Sequence, residues 1–160
     1  MQKVDHIIMK TLYYVLGLLM LIMVSAITAQ VISRYIFGSP FTWTEELGRY
    51  TFIWMSILGM AVAVKTLGHI ALDILLKSVS GIVEKILQYI INIFIAGFGV
   101  LFTFSGVKMM EIGSGQNSPS LSLPMEFVYL VIPISGVLIV YFVIGNMKQG
   151  LKGKEMPIND

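Results

Sequence analysis

The sequence predicts an all-α integral membrane protein of four transmembrane helices, N-in and C-in, with an amphipathic cytoplasmic-face helix between spans two and three. Three observations carry this. Of 160 residues, 56% are hydrophobic and only 12% charged, with a mean hydropathy of +0.84. Four apolar stretches, at about 12–33, 47–64, 86–107 and 127–146, reach or approach the roughly 20 residues that cross a bilayer as helix. The basic residues are also lopsided. With both ends inside, that side holds Lys3, Lys10, Lys65, Lys77, Lys85, Lys148, Lys152 and Lys154, and the other holds only Arg34, Arg49 and Lys108. Cytoplasmic loops carry such an excess. Residues 1–160 read as a single membrane domain.

The first span follows Lys3 and Lys10. Its apolar run is longer than the core of a secretory signal, and no small-residue cleavage site follows it cleanly, so it reads as a retained span. Gly38 and Pro40 then force a turn. Thr42 stands three residues before Glu45, the spacing of a capping box, which starts helix two near Trp43. Glu45 and Glu46 fall in its first turn, where the helix dipole favours negative charge. Arg49 lies within reach of both as an i,i+3 or i,i+4 partner. Tyr35, Phe37, Phe41 and Trp43 suit the outer headgroup belt. The second span is the weakest, with Lys65 at one end and the two glutamates at the other.

Between spans two and three, about 69–85, His69, Asp73, Lys77 and Glu84 fall near one helical stripe. Ile70, Ile74, Val79, Ile82, Val83 and Ile86 favour another, the pattern of a helix lying on a membrane surface, with Gly81 as a bend. Residues 111–124, EIGSGQNSPSLSLP, read as a mobile or extended outer connection. The fourth span contains Pro133, a candidate kink, and the tail after Asn146 is polar and short.

The chemistry is mostly negative. There is no cysteine, so disulfides, thiol chemistry and thiolate metal sites are excluded. His6 and His69 lie in different segments without nearby ligand partners, and no metal site or cofactor is expected. A net charge of +2 with scattered basic residues suggests no nucleic-acid surface. No nucleophile motif or phosphate loop appears, and Glu45 and Glu46, adjacent on a helix, point about 100° apart and cannot flank one bond. An enzyme is not expected. Nor is a self-sufficient transporter, because the spans hold only weakly polar residues such as Ser25, Gln30, Asn92 and Ser135, with no repeat between the halves.

The spans offer packing surface instead. Ser25 and Ala29, Gly59 and Ala63, and Gly99 and Thr103 are pairs of small residues four apart, read first as contacts among the four helices. Gln88 and Asn92, one turn apart, are read as interhelical hydrogen-bonding groups. The cluster of Arg34, Trp43, Glu45, Glu46, Arg49, Tyr50 and Trp54 has two readings. It is either a helix cap with interface anchors or a docking surface, and its density favours docking slightly. On the surface helix, His69, Asp73, Ile74, Lys77, Ile82 and Glu84 read as a membrane brace, with plain solvation the default for the charges.

The run from Arg34 through Phe41, Trp43, Glu45, Glu46, Arg49, Tyr50 and Trp54, then Gly59 and Ala61, resembles the small permease subunit of tripartite ATP-independent periplasmic (TRAP) transporters, the DctQ-like family. Leu123, Pro124, Met125, Tyr129 and Pro133 are similar to that family's closing segment, and W-x-E-E-x-x-R at Trp43–Arg49 is the most specific element. The resemblance implies a multi-pass protein of the bacterial inner membrane. It would pair with a large multispan permease subunit, and a periplasmic substrate-binding protein would deliver an organic acid such as sialic acid or a C4-dicarboxylate. A sodium or proton gradient would drive uptake by symport, and the small subunit would be a scaffold. Since the chain ends at Asp160, a separate large partner is expected. Two alternatives stand beside this: a small homo-oligomeric channel, and an accessory subunit of an unrelated membrane complex.

Overall fold

Each apolar stretch becomes helix, and the first three helices outrun their stretches. The computed structural model of the chain describes residues 2–76 and 82–150. Its elements are α1 (Gln2–Phe37), α2 (Thr42–Leu76), α3 (Ile82–Gly113), α4 (Met125–Tyr129) and α5 (Val131–Gly150). The 36 residues of α1 make a rod of about 54 Å, well beyond a hydrocarbon core of about 30 Å. Four segments are long and apolar enough to span a membrane: Lys3–Phe37, Thr42–Thr66, Ile86–Gly113 and Met125–Met147.

The fourth span is interrupted where its proline requires it. Pro133 has no N–H to give the carbonyl of Tyr129, and α4 ends at Tyr129, with Leu130 between it and α5. Leu130 keeps helical angles (φ −54°, ψ −30°) and its N–H still bonds the Glu126 carbonyl, so the axis continues through the break.

The helices stand in a row in the order α1–α2–α5–α3, α1 packing on α2, α2 on α5, and α5 on α3. Leu58, Ala61 and Val62 of α2 meet Val131, Ile139, Phe142 and Val143 of α5 in the core, and Leu12 joins from α1. Ser135 Oγ donates to the Ile57 carbonyl at 2.8 Å, a polar link inside this seam. The flanking helices turn wide apolar faces outward, with Tyr14 and Leu21 on α1 and Phe94 and Phe104 on α3 each about 70% exposed. Lipid or a partner is the natural cover for such faces.

The α3–α5 seam is built on glycine. A Cβ at Gly99 would lie 2.9 Å from Val140 and 3.1 Å from the Gly136 carbonyl, and one at Gly113 would meet the Tyr129 ring. Between them, a Cβ at Gly106 would lie 2.5 Å from Pro133 Cδ. Gly99, Gly106 and Gly113 recur every seven residues and so share one face. Gly99 with Thr103 therefore serves internal packing, as its spacing suggests, opposite Gly136. The other two small pairs do not: Ser25 is exposed, and nothing lies within 4 Å of a Cβ built on Gly59. Because the Pro133 ring cannot rotate away, Gly106→Ala should cost about 1–3 kcal/mol, read as a lower unfolding midpoint in detergent. Gly59→Ala, entering open space, should be neutral or slightly stabilising. Equal midpoints for the two variants would refute this account of the seam.

Residues 69–76 continue α2, and 82–85 open α3. The amphipathic reading rests on the side chains of His69, Asp73, Ile74 and Glu84, which the structure does not describe, and on Lys77, which lies outside the described residues. Ile82 is described, and it is 77% exposed.

Candidate functional site

The turn after α1 is held by two buried hydroxyls. Ser33 Oγ donates to the Gln30 carbonyl at 2.9 Å and accepts the Phe41 N–H at 3.2 Å, so a side chain of α1 fixes the entry to α2. Thr44 Oγ1 donates back to the Phe41 carbonyl at 2.6 Å. Gly38 sits at φ +73°, a conformation that favours glycine, and lets the chain reverse there. The expected capping box is replaced: Thr42 is already inside the helix, and Glu45 turns to Arg49 instead of back to the Thr42 N–H. Phe37, Phe41 and Trp43 form an exposed aromatic ladder with ring centroids 6.2 and 6.3 Å apart.

The two glutamates divide the work, as their 100° separation demands. Glu45 takes Arg49 at 2.7 Å, with both side chains more than 60% exposed. Such surface pairs contribute at most about 1 kcal/mol. Glu46 is only 8% exposed and faces the other way. Its Oε1 accepts the Tyr50 hydroxyl at 2.7 Å, and its Oε2 accepts the backbone N–H groups of Ser120 and Leu121 at 2.8 and 2.9 Å. Tyr50 in turn lies 3.5 Å from Met125 Sδ. One carboxylate thus ties the start of α2 to the connection between α3 and α4.

That connection is folded, which corrects the expectation of a mobile or extended loop. Asn117 and Pro124 form an antiparallel bridge, and the Met125 N–H reaches the Gln116 carbonyl at 2.9 Å. Inside the bridge, Ser118 is 3% exposed. Its N–H donates to the Leu123 carbonyl, and its Oγ accepts the Leu123 N–H. Gly115 at φ +82° and Ser122 at φ +52° supply the left-handed turns. The result is a compact strap latched by Glu46.

Of the sequence-derived cluster, Glu45, Glu46, Arg49 and Tyr50 gather at the start of α2, and Trp43 stands beside them, 43% exposed. Arg34 is exposed at the end of α1. Trp54 lies deeper and packs, half-buried, against the core.

The opposite end holds a second cluster that the sequence reading missed. Lys65 Nζ lies 3.1 Å from Asp5 Oδ2, and the Tyr141 hydroxyl donates to Asp5 Oδ1 at 2.8 Å, joining α1, α2 and α5. Both charged side chains are largely enclosed, 17% exposed for Lys65 and 10% for Asp5. Lys65 also stands 5.8 Å from the Phe142 ring centroid, and Asn146 Nδ2 donates to the Val64 carbonyl at 3.4 Å. The available signal was Asp5 itself, the single acid in α1.

A cavity of about 480 Å³ between α3 and α4 is lined by Val107, Met110, Glu111, Ser114 and Glu126. Among the described residues there is no group of three or more His, Cys, Asp or Glu able to hold a metal. The polar clusters lie at the ends of the helices and make structural bonds.

Residues 23–153 match the family described as "Tripartite ATP-independent periplasmic transporters, DctQ component". A Haemophilus influenzae protein whose designation as a TRAP transporter small permease is provisional is 25% identical, over 94% of this chain and 91% of its own length. The SiaQ small permease protein of a Vibrio cholerae sialic acid TRAP transporter is 25% identical over 71% of this chain and 70% of that protein. The DctMQ permease protein of an isethionate TRAP transporter from Oleidesulfovibrio alaskensis is 30% identical over 77% of this chain. There the match spans only 20% of the longer protein.

Proposed function

The chain belongs to the DctQ component family of tripartite ATP-independent periplasmic transporters and is a multi-pass protein of the bacterial inner membrane. From that premise we propose that it is the scaffold subunit of an organic-acid importer. In this reading it holds a large multispan permease subunit that carries the transport path. A periplasmic binding protein delivers an organic acid, such as sialic acid or a C4-dicarboxylate, and an ion gradient drives symport. The chain itself catalyses no reaction.

The observation that carries this reading is the open row of helices. Both flanking helices leave apolar sides unpacked, and the buried charged groups sit at the two ends of the helices instead of along a central path. A structure of this kind supplies contact area in the membrane. The isethionate relative, about five times longer than its matched segment, is consistent with a small and a large part working as one unit.

The test is recovery of the tagged chain from native membranes in a mild detergent, with co-purifying proteins identified by mass. One larger multispan protein in near-equal amount is the expected result. Recovery only as copies of itself would overturn the scaffold reading in favour of a homo-oligomeric channel.

The basic residues support N-in, C-in, with the strap at 117–124 on the periplasmic face. Because the chain has no cysteine, single replacements report without background. Asn117→Cys should react with a membrane-impermeant thiol reagent in intact spheroplasts, and Lys3→Cys should react only after lysis. The reverse pattern would invert the topology.

A further inference from the structure

The outward face of α1 near its N-terminus combines charge, an aromatic ring and a notch. At 100° per residue, Lys3, Lys10 and Tyr14 fall within about 40° of one another, on the side opposite Asp5 and Leu12, which pack inward. Asp5 is the single acid of α1, and its bonds to Lys65 and Tyr141 turn it away from this face. What remains outside is cationic. Both lysines are exposed, and neither forms a salt bridge with a described residue. Lys10 Nζ stands 6.0 Å from the Tyr14 ring centroid, and Tyr14 is 70% exposed.

One turn further into the span the surface dips. Nothing lies within 4 Å of a Cβ built on Gly17, and Leu21, 67% exposed, forms the wall beyond it. The Lys10 ammonium and the Tyr14 ring mark the headgroup level, while Gly17 and Leu21 lie deeper in the span, at acyl depth.

We infer that this face seats an anionic phospholipid, with its phosphate held by Lys3 and Lys10 and one acyl chain along the notch at Gly17. Charge complementarity selects this occupant. Two cations with no salt-bridge partner among the described residues, at headgroup level above the Tyr14 ring and an apolar trough, match the order of groups in a lipid.

The test uses the purified full chain in mild detergent, offered phosphatidylglycerol or phosphatidylcholine with identical acyl chains, with retained lipid counted by native mass spectrometry. Phosphatidylglycerol should be retained about thirtyfold more tightly, the order expected from two basic residues at a membrane surface. The double variant Lys3→Gln/Lys10→Gln should lose that preference, and Lys108→Gln, on α3, should keep it. Equal retention of the two lipids by the wild type would overturn the inference, as would a preference surviving in the double variant. A preference that disappears when the chain carries a co-purified multispan protein would assign the face to that protein and overturn it too.

Discussion

Glu46→Ala should loosen the strap at 117–124 and sharply reduce uptake, while Glu45→Ala should do little to either. The difference lies in where each carboxylate points. Glu45 bonds a single exposed arginine, and water replaces that partner at small cost. Glu46 accepts three hydrogen bonds from a phenol and two backbone N–H groups, and bonds to a charged acceptor are about twice as strong as neutral ones. Its removal strands the N–H groups of Ser120 and Leu121 beside the half-buried Tyr50. Amide exchange at these two positions should accelerate, and solute uptake by the complete transporter should fall about tenfold at equal expression, the order of losing one charge-assisted contact. Glu46→Gln should fall between, because an amide offers one acceptor oxygen where the carboxylate has two. The binding protein's affinity for its solute should not change. Unaltered exchange and uptake in a well-expressed Glu46→Ala variant would show that the latch has no part in the work.

The membrane class and the four spans were legible because they rest on a local quantity, apolar runs of bilayer length. Spacing alone also found the Glu45–Arg49 pair and the close approach at Gly99. What it could not supply was the partner across the fold. Glu46 bonds residues 74 and 75 positions away, in a segment whose Gly, Ser and Pro content reads as slack chain. Those residues instead build left-handed turns and a bridge, and the ordering comes from main-chain bonds that leave no side-chain period. Thr42 showed the same limit on a shorter scale. Its spacing to Glu45 fits a capping box, but Arg49 is a charged partner for Glu45 and Ser33 of α1 already fixes the turn. The glycine seam was half visible: the seven-residue repeat stands in the sequence, but its meaning depends on Pro133 and Gly136 of a helix more than 20 residues away.

Removing the Lys65 ammonium should be the most damaging single change at the opposite end of the helices. Lys65→Met leaves the Asp5 carboxylate 10% exposed, with the Tyr141 hydroxyl as its remaining hydrogen-bond partner among the described residues, at a point where α1, α2 and α5 meet. Breaking a buried pair from one side costs about 3–5 kcal/mol. This pair stands at the end of a span, where headgroups and water reach it, so about 1–3 kcal/mol is the better expectation. Asp5→Asn should cost less, since the amide still accepts from Tyr141 and Lys65 can extend toward solvent. The informative variant is Asp5→Asn/Lys65→Met, which removes both charges. If the cost arises from a stranded charge, this double variant should recover much of the stability lost in Lys65→Met, measured as the unfolding midpoint in detergent. If the two single losses simply add, the residues act independently, and the contact between them is a consequence of the fold instead of one of its supports. Recovery would also explain why the single acid of α1 lies on its packed face: it is the contact that brings the N-terminal turns of α1 against α2 and α5.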